Sequence, residues 1–574
     1  MDAELQSWTE QFVKVTGSLT LAVVIYIIGV CIYRLTLHPL AKYPGPFLSK
    51  ISDWSIVLQA TSGDRHLDTW AEHNKYGPVV RIGPNALSYN TATALKAIYS
   101  SRRSNVRKSD WYKTIDAGSK AFSLHSEIDK NRHAFRRRVI DQAFSDSAIK
   151  SDEDLILKDV KAWVDILGSD VDHTGWTEPK DMKDWCNWLS FDMMGDLTFG
   201  KGFGCVEKGE HRFVPEVVLE ATKFVYVAGF WPFIDLVRPL LGTSWASMLF
   251  TSDAKQGEAY IKYANGMMEQ RMAEERQYDD TKASNPRRKD FIYYLLHARD
   301  PETGEGLSVN ELHADSALLI HAGSDTTALT LSAATFYLTQ EDKVLKRLTD
   351  EIRGTFRTVE EIRSGPALSS LTYLRACIDE VLRMSPPVPS HLPREVLSGG
   401  MEIDGEYVPE GTVVGVAPFT IQHNAEYYPD PFRFDPDRWI VPSDGGGGGA
   451  TPAAKEKEES VALARAAFCP FSIGPRGCAG KRVAYLEASL ALATLLWVFD
   501  VKRAEQPERD EFAAGTGTGT TTTTTTKQEA ERNGKDKGTT RHAQVRGKRH
   551  VYQLWDHFVA DREGPVVRFR KRAH

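Results

Sequence analysis

No N-x-S/T sequon occurs anywhere in the 574-residue chain, and its six cysteines (Cys31, Cys186, Cys205, Cys377, Cys469, Cys478) are scattered without a pairing rhythm. Both absences argue against a disulfide-stapled, secreted fold and place the body of the chain in a reducing compartment. An excess of positive charge is also missing. The 71 basic and 77 acidic side chains leave a net charge of −6, which excludes nucleic acid as the main partner. No GxGxxG fingerprint for a flavin or nicotinamide dinucleotide is evident. Apolar residues are nearly absent from residues 443–460 (SDGGGGGATPAAKEKEES) and from 503–549, which contain GTGTGTTTTTTT. Segments of this composition cannot offset their chain entropy, so both are expected as low-complexity surface inserts rather than folded core.

What is present starts with one long apolar run. Residues 17–33 (GSLTLAVVIYIIGVCIY) carry no charge, and the apolar character continues to Leu37. About 20 such residues cross a bilayer's hydrocarbon core. Asp2, Glu4 and Glu10 outweigh Lys14 before the run, unlike the basic start of a cleaved signal peptide. Arg34, Lys42 and Lys50 follow it, so the positive-inside rule puts the body in the cytosol. Expected boundaries are therefore a short lumenal N-terminus (1–16), a single-pass anchor (17–37), a Pro-rich hinge (38–50) and a cytosolic body (51–574). The endoplasmic reticulum is the expected membrane. The anchor ends before Pro44, so removal of residues 1–42 is expected to leave the body intact.

Within the body, residues 76–89 (YGPVVRIGPNALSY) alternate around Gly-Pro turns and read as a β-hairpin. Residues 129–315 have helical texture, and the C-terminal VYQLWDHFVADREGPVVRFRKR regains strand character. The fold class is mainly α with a small β portion. Roughly 460–480 residues remain once anchor and inserts are set aside, enough for one large helical enzyme.

Near the C-terminus, Phe471-Ser-Ile-Gly474-Pro-Arg476-Gly-Cys478-Ala-Gly480 wraps one cysteine in glycine directly before an apolar helix. A sulfur at the positive end of a helix is stabilised as a thiolate. Cys478 has no Cys or His partner at zinc spacing, and a lone thiolate suits a single axial bond to haem iron. Upstream, Ala322-Gly323-Ser324-Asp325-Thr326-Thr327 lies inside a helical segment. Ala322 and Thr326 share a face, and a glycine in mid-helix wants a reason such as close approach of a ligand. An acid and an alcohol side by side can relay protons. His321 lies well around the helix from Thr326 and reads as packing or pocket wall.

The ten-residue loop F-x-x-G-x-R-x-C-x-G resembles the haem-binding loop of the cytochrome P-450 superfamily, and A-G-x-D-T-T resembles its oxygen-activation helix. Glu380-Val-Leu-Arg383 with Phe434-Asp-Pro436-Asp-Arg438-Trp439 resembles its Glu-Arg-Arg network. The resemblance extends over nearly all of residues 43–572, in the expected order, and looks most like the membrane-bound enzymes of filamentous fungi. It implies the cytochrome P-450 fold behind one transmembrane helix, with haem b as cofactor and Cys478 as axial ligand of the iron. Phe471, Gly474, Arg476, Gly480 and Ala322 would surround the haem. His133, standing where the family has tryptophan, with Arg137 and Arg394, would meet the propionates, while Arg136 and Arg138 read as a solvated basic face. Asp325 and Thr326 would be catalytic, and Glu380, Arg383 and Arg438 a structural lock on the cysteine loop.

The implied activity is monooxygenation of an apolar small molecule in fungal secondary metabolism. Electrons would come from NADPH through a separate reductase, with a cytochrome b-type protein as alternative donor and lipid as a further partner. Other functions compatible with the motifs are an aromatic-acid or xenobiotic hydroxylase, a haem-thiolate isomerase or ring-coupling enzyme, and a non-catalytic haem sensor. The Asp325/Thr326 pair favours O2 activation over the isomerase and the sensor.

Overall fold

A computed structural model describes residues 2–117, 119–240, 252–278, 289–441, 451–504 and 542–572. The N-terminal helix Asp2–Ile32 ends in a π-helical turn, Tyr33–Leu37. Gln11–Leu37 is long and apolar enough to cross a membrane, and residues 11–29 are exposed throughout. Residues 38–50, expected as a stiff hinge, are instead docked on the body. Leu40 and Tyr43 are buried, and the Arg81 amide donates to the Pro44 carbonyl at 2.7 Å. The Arg81 guanidinium donates to the carbonyls of Arg34 and Pro84, both at 2.7 Å. Gly45 sits so close that a Cβ there would lie 2.3 Å from the Arg81 carbonyl oxygen. The anchor's last turn is thereby joined to the first strand of the body.

The body is mainly α. Its axis is the helix Val309–Leu338, which begins with a capping box formed by Ser308 and Glu311; such a cap satisfies two otherwise orphaned N–H groups. This central helix packs against Met182–Phe199, Thr372–Met384 and Lys481–Val498. Together they enclose the main apolar core, including Leu197, Leu331, Ile378 and Leu492.

The largest sheet uses β1 (Val79–Gly83), β2 (Ala86–Tyr89), β3 (Val106–Lys108), β5 (Arg394–Val396) and β8 (Val413–Val416), in the order β1-β2-β8-β5-β3. Only the β2–β8 pairing in it is parallel. A three-stranded sheet joins β4 (Lys180–Asp181), β12 (Val566–Lys571) and β9 (Phe499–Arg503), and two hairpins complete the strands: β6 (Met401–Ile403) with β7 (Glu406–Val408), and β10 (Leu554–His557) with β11 (Val559–Arg562).

Both expected inserts shrink. Residues 452–460 open a helix, Pro452–Ala467, capped by the Thr451 hydroxyl with Pro452 at its start. Val461 and Ala464 are buried, and the Tyr428 hydroxyl donates to the Ala464 carbonyl at 2.7 Å. The charged half of the first insert is thus the exposed beginning of a helix whose second half docks; composition alone missed it because the anchoring residues lie just beyond the charged run. Residues 443–450 lie outside the described residues. The second insert starts later and ends earlier than expected. Arg503 closes β9, while Ala543–Arg546 is a helical turn whose Arg546 pairs with Asp64. His542 Nε2 lies 2.9 Å from Asp68 Oδ1. Residues 505–541 lie outside the described residues.

Candidate active site

The cysteine loop is set by a narrow turn. The Cys478 amide donates to the Phe471 carbonyl and the Gly477 amide to the Gly474 carbonyl, both at 2.9 Å. Gly474 has φ of 72° and presses on the preceding chain, so that a Cβ would lie 2.2 Å from the Tyr99 carbonyl oxygen; only glycine fits there. Gly480 caps the helix Lys481–Val498. Cys478 alone among the cysteines is exposed, and what it is exposed to is an interior cavity of about 1120 Å³. Burial pushes its thiol up from the usual range, against the pull of the Gly480 N–H and the charges of Arg137 and Lys481. The helix terminus therefore does not by itself make a thiolate here; a bound metal cation would supply the missing positive charge.

One end of the cavity is lined by buried cations. Arg394 on β5 donates to the Tyr112 hydroxyl at 3.2 Å and to the Leu392 carbonyl at 3.3 Å. Arg476 donates to the carbonyls of Glu127 and Ile128, and burial together with Arg394 lowers it to about 10. Lys108 on β3 donates to the His125 carbonyl, and burial next to Arg476 and Arg394 drives it well below the usual lysine range. His133 is buried beside them and held neutral, near 2, by burial and the same charges. Arg137 lines the same wall, bonded to Asp141 at 2.6 Å and to the Gly477 carbonyl at 2.5 Å.

Lys108 was not legible from sequence, because nothing local marks a strand lysine as buried. The expected solvated basic face is corrected at Arg136, while Arg138 remains part-exposed at the surface. Arg136 is 1% exposed and paired with Asp315 of the central helix, and Arg138 pairs with Asp300 at 2.6 Å.

Across the cavity stands the central helix. Ala322, Gly323 and Thr326 face the space, and the Thr326 hydroxyl donates to the Ala322 carbonyl at 2.7 Å. Gly323 is explained by packing rather than by a ligand alone, since a Cβ would lie 2.5 Å from Met194 Sδ on Met182–Phe199. Asp325 is buried, and burial raises its carboxyl to about 7. His321, one turn earlier, lies 3.5 Å from Asp325 Oδ2 through Nδ1. The remaining walls are apolar, with Leu124, Val218, Leu318, Val388 and Phe558 among them.

Glu380 is fully buried between Arg383 (2.8 and 2.9 Å), Arg438 (2.9 Å), the Trp439 indole (3.0 Å) and the Asp435 amide (3.0 Å). Burial is the largest influence and would raise this carboxyl, but Arg383, Arg438 and the Asp435 amide together outweigh it and hold the group below the usual range. The cluster reaches the cysteine loop through one residue. Arg383 donates to the Gln422 carbonyl at 2.9 Å, and Gln422 Oε1 accepts from the Cys469 amide at 3.0 Å.

The donor set fits haem. The exposed sulfur of Cys478 opens on a space large enough for the macrocycle and a guest, and the buried Lys108 and Arg394 with the half-buried Arg476 are cations bonded only to neutral oxygens in the contacts above. Such charges call for an anion, and a pair of propionates has that chemistry.

Comparison with known proteins gives the same direction. The family described as Cytochrome P450 matches residues 44–526. "Cytochrome P450 monooxygenase fscF" of Fusarium equiseti is 41% identical over 84% of this chain and 88% of its own length. "Cytochrome P450 monooxygenase atnE" of Emericella nidulans is 35% identical over 94% of both chains. "Cytochrome P450 monooxygenase AKT7" of Alternaria alternata is 35% identical over 98% of both.

Proposed function

The chain belongs to the cytochrome P450 family and is a haem-thiolate monooxygenase, and from that premise we propose that it inserts one oxygen atom of O2 into an apolar product of fungal secondary metabolism. What supports this reading is the cavity itself, which Cys478, Thr326 of the central helix and a set of apolar side chains line together. Bound through Cys478, haem b supplies oxygen activation by thiolate donation. Arg394, Arg476, Lys108, Arg137 and the neutral His133 would hold its propionates.

The chain's own contribution is positioning and proton supply. Leu124, Val218, Leu318, Val388 and Phe558 exclude water and present a C–H bond of the guest. Asp325 holds a proton near neutral pH, and Thr326 stands next to it on the cavity side to pass it on. Glu380, Arg383 and Arg438, through Gln422, fix the cysteine loop.

Electrons come singly from NADPH by way of a separate reductase, with a cytochrome b-type protein as a second donor. The enzyme is anchored in the endoplasmic reticulum membrane with its body in the cytosol. Phe47, Leu48, Trp54, Leu58, Phe233 and Leu236 are large, apolar and exposed, and the first three follow the anchor closely, which suits contact with lipid.

The test is spectroscopic and kinetic. Full-length protein in membranes with a reductase is expected to show the red-shifted thiolate band when reduced under CO and to consume NADPH faster when a substrate from a metabolite panel is added. Cys478→Ser is expected to abolish that band and turnover together, since a serine hydroxyl is a far weaker donor. Retention of the band in Cys478→Ser and its loss in Cys469→Ser would overturn the assignment of the sulfur.

A further inference from the structure

The imidazole of His321 joins two elements that line the cavity, the central helix and the helix Val214–Ala228. Its Nε2 lies 3.3 Å from Thr222 Oγ1 on the helix Val214–Ala228, which roofs the cavity. Its Nδ1 is buried without a hydrogen-bond partner and faces Asp325 Oδ2 at 3.5 Å.

The direction of these contacts follows from the hydroxyl. Thr222 has one proton and donates it to the Val218 carbonyl at 2.8 Å. With its proton on that carbonyl, the shorter of its two contacts, the Thr222 oxygen accepts from His321, an arrangement that puts the imidazole proton on Nε2. Nδ1 then offers a bare lone pair to Asp325, and a lone pair is satisfied only by a carboxyl that keeps its proton.

We infer that His321, held in one tautomer by Thr222, is a positioning residue that keeps the Asp325 carboxyl protonated and aimed, so that proton supply at this site depends on the seating of the roof helix. The inference rests on the reading of Asp325 as a proton source. Burial acts in the same sense on both groups, raising the carboxyl to about 7 and lowering the imidazole to about 4. A neutral acid beside a neutral imidazole is the state these shifts favour near pH 7.

Charged groups on the neighbouring elements leave this arrangement in place. Arg562 and Asp561 on β11 oppose each other at Asp325, and Lys183 on Met182–Phe199 adds a smaller pull toward the carboxylate. His125 faces His321 from across the cavity and is itself kept neutral by burial and by Lys108, Arg394 and Arg476. None of these groups offers Nδ1 a proton.

Infrared pH titration of the haem-loaded, full-length protein tests the inference. The protonated-carboxyl C=O band that disappears in Asp325→Asn belongs to Asp325. It is expected near pH 6 in the parent protein and to move to higher wavenumber in His321→Phe, where the O–H has no acceptor. His321→Gln, whose amide can accept from Asp325 and donate to Thr222, is expected to keep the parent position. Thr222→Val, an isosteric change that does not depend on how His321→Phe folds, is expected to split the band as both tautomers become populated. An unmoved band in His321→Phe, an unsplit one in Thr222→Val, or no protonated Asp325 at pH 6 would overturn the inference. Product formed per NADPH is read separately and is expected to fall several-fold in His321→Phe. A shifted band with unchanged coupling would instead remove Asp325 from proton supply and leave the tautomer argument standing.

Discussion

Gly323 carries two opposing effects in one atom. An alanine there gains about 1 kcal/mol of helix propensity. Its methyl would also meet Met194 Sδ at 2.5 Å, and overpacking of this kind costs about 1–3 kcal/mol. Gly323→Ala is therefore expected to destabilise by about 1 kcal/mol net, and in a Met194→Ala background the same change is expected to stabilise. Chemical denaturation of the four proteins of this cycle reads the sign; an equal loss in both backgrounds would show that Met194 is not what excludes the methyl. Residue-scale legibility was uneven for a physical reason. Cys478, Asp325 and Thr326 sit in runs whose spacing is itself informative. Lys108 and Arg136 do not, because burial of a charge depends on partners far away in sequence, such as Asp315 for Arg136. His321 stands at i,i+4 from Asp325, the neighbour that matters for it, and its angle to Thr326 carries no information about that pairing.

At the scale of elements, the joint between anchor and body moves the place where the chain can be cut. The spectrum-preserving boundary read from sequence was residue 42. Yet Leu40 is fully buried, Arg34 donates to the Ile51 carbonyl at 2.5 Å, and Lys42 pairs with Glu406. Removal of residues 2–32 is expected to leave haem content and thermal stability unchanged. Removal of residues 2–42 is expected to cost about 2–4 kcal/mol, from the lost Leu40 side chain and the unsatisfied Arg81 guanidinium. Equal melting temperatures for the two truncations would show that residues 33–42 are dispensable. The shorter truncation is expected to remain membrane-attracted through Phe47, Leu48 and Trp54, as flotation with lipid vesicles would report. Helix existence and order were readable from periodicity, and the anchor from its length. The helix Pro452–Ala467 was not, since glycine and charge dominate its beginning and its docking residues, Val461 and Ala464, are few.

For the whole molecule, the second insert is closed by a charged clasp. His542 is raised to about 9 by Asp64 first and Asp68 second, and Arg546 joins the same two-carboxylate edge of the helix Arg65–Tyr76. A folded value above the ordinary 6.5 means that this stabilisation is complete below about pH 6.5 and is lost as pH rises through 9. Replacing residues 505–541 by a short Gly/Ser link is expected to change stability little, because loop length costs only about 0.6 kcal/mol per doubling. Extending the deletion to residue 549 is expected to lower the melting temperature, and His542→Ala to flatten its fall between pH 6.5 and 9. A parent protein with no such fall would show that the clasp is not holding. Beyond the clasp the chain still has work to do inside the enzyme. Phe558 and Val559, at the turn between β10 and β11, line the cavity, with the Phe558 ring packed against Trp111 and His125, and they follow the cysteine loop by some distance in the chain. The chamber is therefore completed from both sides of the cysteine loop: a chain cut short of residue 558 would keep the sulfur and the cations but lack this part of the wall.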